Sequence, residues 1–192
     1  LLGQVRRMFD LDTRPALIAA ELSSDRRLAP LIAAYPGVRL PGVMQGFEIA
    51  ARAIIGQRIS VAAATTLWSR FTAKFGEPVA TPWPSLTHLP PTAEQVADAS
   101  AAQIAALGLT RVRANALVAL ARFWADRNFD AAGARDPAAT IEELQTLPGI
   151  GAWTANYIAM RAFLWPDAFP DGDLVLCKAA GGMTPRALRD RA

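Results

Sequence analysis

A single cysteine, Cys177, leaves this chain without the partner an internal disulfide needs, and excludes a four-thiolate zinc site and a cysteine-held iron–sulfur cluster. A reducing, cytoplasmic setting is expected. No run approaches the roughly 18 consecutive apolar residues of a membrane-spanning helix, and Arg6, Arg7 and Asp10 interrupt the N-terminus where a signal peptide needs an apolar stretch. The expectation is a soluble chain with no membrane partner. Lysine is also scarce: Lys74 and Lys178 are the only two, so the net charge of +3 rests on arginine. Arginine suits bidentate phosphate contact, yet a GC-rich genome gives the same bias, and charge alone does not assign a nucleic-acid partner.

What the chain does have is apolar mass and helix punctuation. With 192 residues, 52% of them hydrophobic, it can bury a sizeable core. Strand-like alternation is almost missing. Thr92 with Gln95, Ser100 with Gln103, and Thr140 with Glu143 each have the form in which a hydroxyl and a Glu or Gln three residues later satisfy a helix start. Between these starts, apolar residues recur at three- and four-residue spacing: Phe47, Ala50, Ile54 and Ile55; Val61, Thr65, Trp68, Phe71 and Phe75, closed by Gly76; Val112, Ala116, Val118, Leu120 and Phe123. Residues 15–22 and 25–35 also read as helices, and Thr184 with Pro185 starts a short one at the end. The five prolines between Pro78 and Pro91 make that stretch a loop, in which His88, the only histidine, takes no role. Trp68, Phe71, Phe123 and Trp124 are assigned to the core.

The stretch LPGIGAWTANYIAMRAF, residues 147–163, is the most informative. A short helix over 140–147, a turn over Pro148–Gly149–Ile150–Gly151 and a second helix over 152–164 form a helix, hairpin, helix unit. The free N–H groups and partial positive charge at the start of the second helix can receive a phosphate. Gly149 and Gly151 are expected to allow unusual backbone angles and to keep Cβ atoms out of the phosphate's way, with Ile150 plugging the corner. Such a site reads backbone and not sequence. A plain helix–helix corner is the competing account of the same turn.

Downstream, FPDGDLVL at 169–176 carries Asp173 just after a Pro-Asp-Gly turn, and upstream lies AIIGQRIS at 53–60. The order of these motifs resembles the helix-hairpin-helix DNA glycosylase superfamily, and within it the bacterial 3-methyladenine glycosylase II type. The likeness runs from RLPG at 39–42 through MTP at 183–185. It implies an all-α, two-lobed helical fold with a cleft, here a fragment lacking an N-terminal β domain and C-terminal helices. Residues 1–47 would be the N-terminal part of the outer lobe, 48–165 the middle lobe with the hairpin unit at 140–164, and 166–192 the aspartate turn and the return to the outer lobe.

The same resemblance implies roles. Asp173 matches the catalytic aspartate, Asp171 lying in the same turn at a different position. Trp153 and Tyr157 match aromatic residues of a base pocket. Pro148, Gly149, Ile150 and Gly151, with Gln57 and Arg58, match DNA-binding positions, Arg58 falling where a wedge side chain enters the gap left by an extruded nucleotide. The main-chain carbonyls of Gln145, Leu147 and Ile150 would hold a monovalent cation, Na+ or K+. The implied partner is double-stranded DNA containing damaged bases, bound by a monomer in the bacterial cytoplasm at the nucleoid.

Chemistry supports that assignment. Relatives that also cut the sugar-phosphate chain carry a lysine at the position of Trp153, and an indole cannot form a Schiff base, so the expectation is a glycosylase without lyase activity. A purine alkylated at N3 or N7 is already a good leaving group, so one carboxylate that stabilises an oxocarbenium-like sugar and orients water suffices. Trp153 and Tyr157, four apart on one helix, can offer π surfaces to a cationic base. Each residue also has a plainer account: Trp153 and Tyr157 as core, Asp173 as the cap of the following helix. The rival function is a non-catalytic helix-hairpin-helix DNA-binding module. A helix-turn-helix regulator is disfavoured because residues 152–163 are too apolar for a recognition helix, and a small-molecule enzyme has no nucleotide or metal motif to support it.

Overall fold

The structure, a computed structural model, describes residues 1–129 and 134–191. Among them it is all-helical, as predicted: α1 (Leu2–Met8), α2 (Pro15–Leu22), α3 (Ala29–Ala34), α4 (Gly46–Ile55), α5 (Val61–Phe75), α6 (Ala93–Ala97), α7 (Ala101–Ala105), α8 (Arg111–Arg127), α9 (Pro137–Gln145), α10 (Ala152–Ala162), α11 (Leu174–Ala179) and α12 (Pro185–Arg189). The Pro-rich loop holds one isolated antiparallel bridge, Pro78 to His88, and there the His88 ring Nδ1 pairs with Thr87 Oγ1 at 2.9 Å. No helix among the described residues is long and apolar enough to cross a membrane. The chain forms two compact units, Leu1–Met44 and Gln45–Ala192. The predicted segments 48–165 and 166–192 include residues 130–133 and 192, which lie outside the described residues.

The first unit holds α1 to α3, none of which has a fully buried residue. Sequence reasoning missed α1, which has neither a capping side chain nor a residue on a buried face. The helix predicted over 25–35 begins only at Ala29, because the Asp25 carboxylate takes the N–H groups of Arg27 at 2.7 Å and Leu28 at 3.4 Å and so holds a turn instead. Hydrogen bonding from the Arg27 side chain pulls the Asp25 carboxyl down to about 2. Arg39 ties the connection back to the unit's start, donating to the carbonyls of Asp10 and Thr13.

In the second unit the apolar spacing becomes a core. Helix α4 packs against α5, α8 and α10, α6 and α7 pack on α8, and α9 packs on α10. Phe47, Ala50, Ile54 and Ile55 are buried on α4, and Ala155, Ile158 and Ala159 on α10. Small side chains on both helices let their backbones come close. Trp124 of α8 stacks on Phe163 with centroids 5.5 Å apart and meets Phe129 edge-on at 5.2 Å. Trp68, Phe71 and Trp124 are buried as expected, and Phe123 packs on the core only partly buried. Val61 and Val112, which the spacing places on apolar faces, are exposed.

Two of the three predicted capping boxes are formed: Thr92 with Gln95 and Ser100 with Gln103 each exchange both bonds. The third is not. Helix α9 starts three residues before Thr140, where Asp136 accepts the Ala139 N–H at 3.1 Å and Pro137 occupies the first helical position. Proline's fixed φ suits that position, and Asp caps as well as Thr. Thr140 is therefore inside the helix, its hydroxyl donating to the Asp136 carbonyl at 2.7 Å. Asp136→Ala is expected to lower stability by about 1 kcal/mol, measured as a denaturation midpoint, while Glu143→Ala, which removes a partly exposed ion pair with Arg127, is expected to change it less.

Candidate active site

The hairpin joins α9 to α10 over Pro148–Gly149–Ile150–Gly151. After α9, Ile150 N–H returns to the Leu147 carbonyl at 3.2 Å, and the Ile150 side chain is buried. The two glycines have different tasks. Gly149 has φ +80°, and a Cβ there would sit 3.1 Å from the Ala116 Cβ of α8. It makes the turn and lets the turn press on α8, so the expectation that its missing Cβ clears a phosphate path is corrected. Gly151 has ordinary extended angles, φ −95° and ψ 178°. A Cβ there would meet no atom within 4 Å. Of the two glycines, Gly151 is the one that leaves open space at the α10 N-terminus, and no side chain caps that end.

Gln57, in the turn between α4 and α5, has its amide bound into this hairpin. Its Nε2 donates to the Gly149 carbonyl and to Thr154 Oγ1, each at 3.1 Å, and Arg113 of α8 donates to the Gln57 carbonyl. Sequence reasoning missed Arg113 and Thr154, since nothing in their local spacing marks contacts across 56 and 97 residues. Arg58 next to it is exposed and has left-handed backbone, φ +54°, which is uncommon for a residue with a side chain and is a place where strain is stored.

The third element is the strap from the end of α10 to α11. Leu164 takes a left-handed φ of +56°, and Trp165 N–H reaches the Ala159 carbonyl at 3.2 Å, so the chain reverses. Asn156 of α10 then accepts the Phe169 N–H at 3.1 Å. Its signal in the sequence is an amide side chain within a mostly apolar helix. At the strap's end Asp173 caps α11: Oδ1 accepts the N–H groups of Val175 and Leu176, both at 2.9 Å. Its other oxygen, Oδ2, accepts the Trp153 indole N–H at 3.2 Å. One carboxylate thus starts one helix and is also bonded to the first turn of another.

These pieces line an open pocket of about 850 Å3, bounded by Gly56, Gln57 and Arg58, by Trp153 and Thr154 of α10, and by residues 172 to 175 around Asp173. Asp173, Trp153, Gln57 and Arg58 are brought together here. Tyr157 stacks on Trp153, centroids 5.2 Å apart and planes 15° from parallel, but does not line the cavity; the Arg161 guanidinium lies 5.9 Å from its ring centroid. Gln145, Leu147 and Ile150 lie at the hairpin and not on the cavity wall. Asp173 is half-buried and retains an oxygen not committed to the cap. Such a carboxylate can accept a proton or face a developing positive charge.

Comparison with known proteins bears on this geometry. A family model described as "HhH-GPD superfamily base excision DNA repair protein" matches residues 51–180, and one described as "AlkA N-terminal domain" matches residues 1–45. The chain is 36% identical to DNA-3-methyladenine glycosylase 2 of Escherichia coli, over 98% of this chain and 64% of that protein. It is 38% identical to a probable bifunctional transcriptional activator/DNA repair enzyme AlkA of Mycobacterium tuberculosis, over 93% of this chain and 35% of that protein. The chain thus spans under two thirds of either relative. Among solved structures, a 3-methyladenine DNA glycosylase from Archaeoglobus fulgidus aligns with a TM-score of 0.79 at 26% identity, over 98% of this chain and 66% of that one. A Schizosaccharomyces pombe 3-methyladenine DNA glycosylase in complex with abasic DNA shares the fold, with a TM-score of 0.64 at 19% identity, over 90% of this chain and 85% of that one.

Proposed function

The chain belongs to the HhH-GPD superfamily of base excision DNA repair proteins, and on that premise we propose that it is a monofunctional DNA glycosylase acting on alkylated, cationic purines such as 3-methyladenine. The observation that carries the proposal is the Asp173 carboxylate, bonded to the Trp153 indole on the wall of an 850 Å3 cavity. The N-terminus of α10, opened by Gly151, would bind a DNA phosphate. A target base is inaccessible inside a duplex, so the nucleotide must rotate out, which a damaged pair makes easier. Arg58 would fill the gap it leaves.

In the cavity the indole of Trp153 would stack on the charged base, with Tyr157 supporting the indole from its other neighbour position on α10. A contact of this kind contributes about 0.5 to 2 kcal/mol, which favours cationic bases without strict discrimination. As the C1′–N bond breaks, its electron pair leaves with the base, cancelling the purine's positive charge, and positive charge grows on the sugar. Asp173 faces that charge and takes the proton of the water that adds to C1′. With an indole and no amine at position 153, no Schiff base forms and the strand is left uncut at an abasic site.

At the hairpin, the carbonyls of Gln145, Leu147 and Ile150 would hold Na+ or K+. Neutral, hard oxygen donors suit such an ion, and the Leu147 carbonyl keeps a lone pair after accepting the Ile150 N–H. When bound, the ion adds positive charge beside the phosphate site. The protein is taken to act as a monomer on duplex DNA at the bacterial nucleoid.

Incubation with duplexes carrying one methylated purine is expected to release free base and to leave a strand that breaks only after alkali. Strand cleavage without alkali would overturn the monofunctional assignment, and no base release from any alkylated duplex would overturn the enzymatic one.

A further inference from the structure

Near Asp173 lies a second carboxylate that the chemistry above does not use. Asp171 does not line the cavity, and it is one of the few buried polar residues among the described residues, 5% exposed. Its Oδ2 receives both Nε and Nη2 of Arg189, the last residue of α12. The pair is asymmetric: the Asp171 side chain is 7% exposed and that of Arg189 66%. An exposed ion pair contributes little by itself. Removing the arginine, however, leaves a carboxylate out of water without its counter-charge, an arrangement relieved by moving the group toward solvent.

Moving Asp171 would disturb Asp173. The Asp171 N–H is bonded to the Phe169 carbonyl at 2.8 Å, its carbonyl accepts the Cys177 thiol at 3.2 Å, and the Asp173 N–H closes the turn on Pro170 at 2.9 Å. Only Gly172 separates the two aspartates. A shift of the Asp171 main chain is therefore transmitted directly to the residue that caps α11 and faces Trp153. Misplacement of a catalytic group by about 1 Å can cost about 100-fold in rate.

We infer that Arg189 is a positioning residue for the reaction: through its ion pair with buried Asp171 it fixes the turn that presents the Asp173 carboxylate to Trp153 and the cavity. In its kinetic consequence this rests on the glycosylase reading; in its structural content it does not. The test uses a readout for each. The Trp153 indole N–H signal in an NMR spectrum, assigned by its disappearance in Trp153→Phe, reports the bond to Asp173 without any substrate. Single-turnover base release reports the chemistry, and affinity for a duplex with an abasic-site analogue reports binding.

Arg189→Met is expected to displace the Trp153 indole signal and slow single-turnover release by about 10- to 100-fold, with duplex affinity changed by less than about threefold. Adding Asp171→Asn, which removes the stranded charge, is expected to move the signal and the rate back toward those of the unmodified protein, the non-additivity that coupled neighbours show. Should Arg189→Met not fold, Arg189→Gln keeps a donor without the charge and is expected to show a smaller displacement in the same direction. A folded single variant with unmoved signal and rate overturns the inference, as does a double variant no better than the single. If the unmodified protein releases no base, the glycosylase reading fails while the indole signal still decides the role of Arg189.

Discussion

Asp173→Asn is expected to lower the rate of base release by about 10²- to 10⁴-fold, the range that a positioned acid–base and electrostatic group contributes. Asparagine isolates the charge from the fold. Asn caps helices as well as Asp does, so its side-chain oxygen can keep the bonds that Asp173 receives from Val175 and Leu176. What changes is the oxygen that faces Trp153 Nε1: an amide there brings a donor toward a donor and no negative charge for the sugar. Thermal stability should move by no more than a few tenths of a kcal/mol, and duplex affinity should hold or rise. Asp173→Ala removes the cap as well and should add about 1 kcal/mol of destabilisation. Single-turnover kinetics and calorimetry on the two variants separate the roles; full base release by the Asn variant would remove Asp173 from the chemistry and leave it only the cap of α11.

The hairpin glycines should fail in opposite ways. At Gly149 the left-handed φ of +80° costs a side-chain-bearing residue about 1 to 2 kcal/mol. The new Cβ would also press on Ala116 at 3.1 Å, so Gly149→Ala should reduce folding stability by roughly 1 to 3 kcal/mol. At Gly151 the backbone is extended and the space is empty. Gly151→Ser should leave stability unchanged or slightly raised, because serine caps better than glycine. If the α10 N-terminus binds a DNA phosphate as proposed, the new Cβ would stand in its path and the hydroxyl would compete for the same N–H groups, so duplex affinity should fall about tenfold. Denaturation midpoints and binding of an abasic-analogue duplex, measured side by side, check the pair; a Gly151→Ser protein binding duplex normally would remove the α10 N-terminus from the interface.

The contrast between these glycines shows what local sequence conveys. A Gly-x-Gly step signals that the backbone does something unusual, but not which glycine bears the angle and which clears space. That depends on α8 lying against Gly149, a contact between segments more than 30 residues apart. The capping boxes divide the same way. Thr92 and Ser100 were legible because their partners are three residues away. Thr140 misled because Asp136 and Pro137, just upstream, start the helix first.

The sequence alone determined the helical class, the hairpin's place and the aspartate beside the turn, because each depends on residues within a few positions of one another, and it determined the motif order that marks the family because order along the chain needs no contact. Only the tertiary structure decided that Trp153 meets the Asp173 oxygen left free by the cap, that Gln57 is bound into the hairpin, and that Arg189 neutralises a buried neighbour. Those are pairings across 18 to 92 residues. A hydrogen bond or ion pair at that separation leaves no periodicity in the chain; it exists only once α4, α8 and α10 have buried their apolar faces and set the distances.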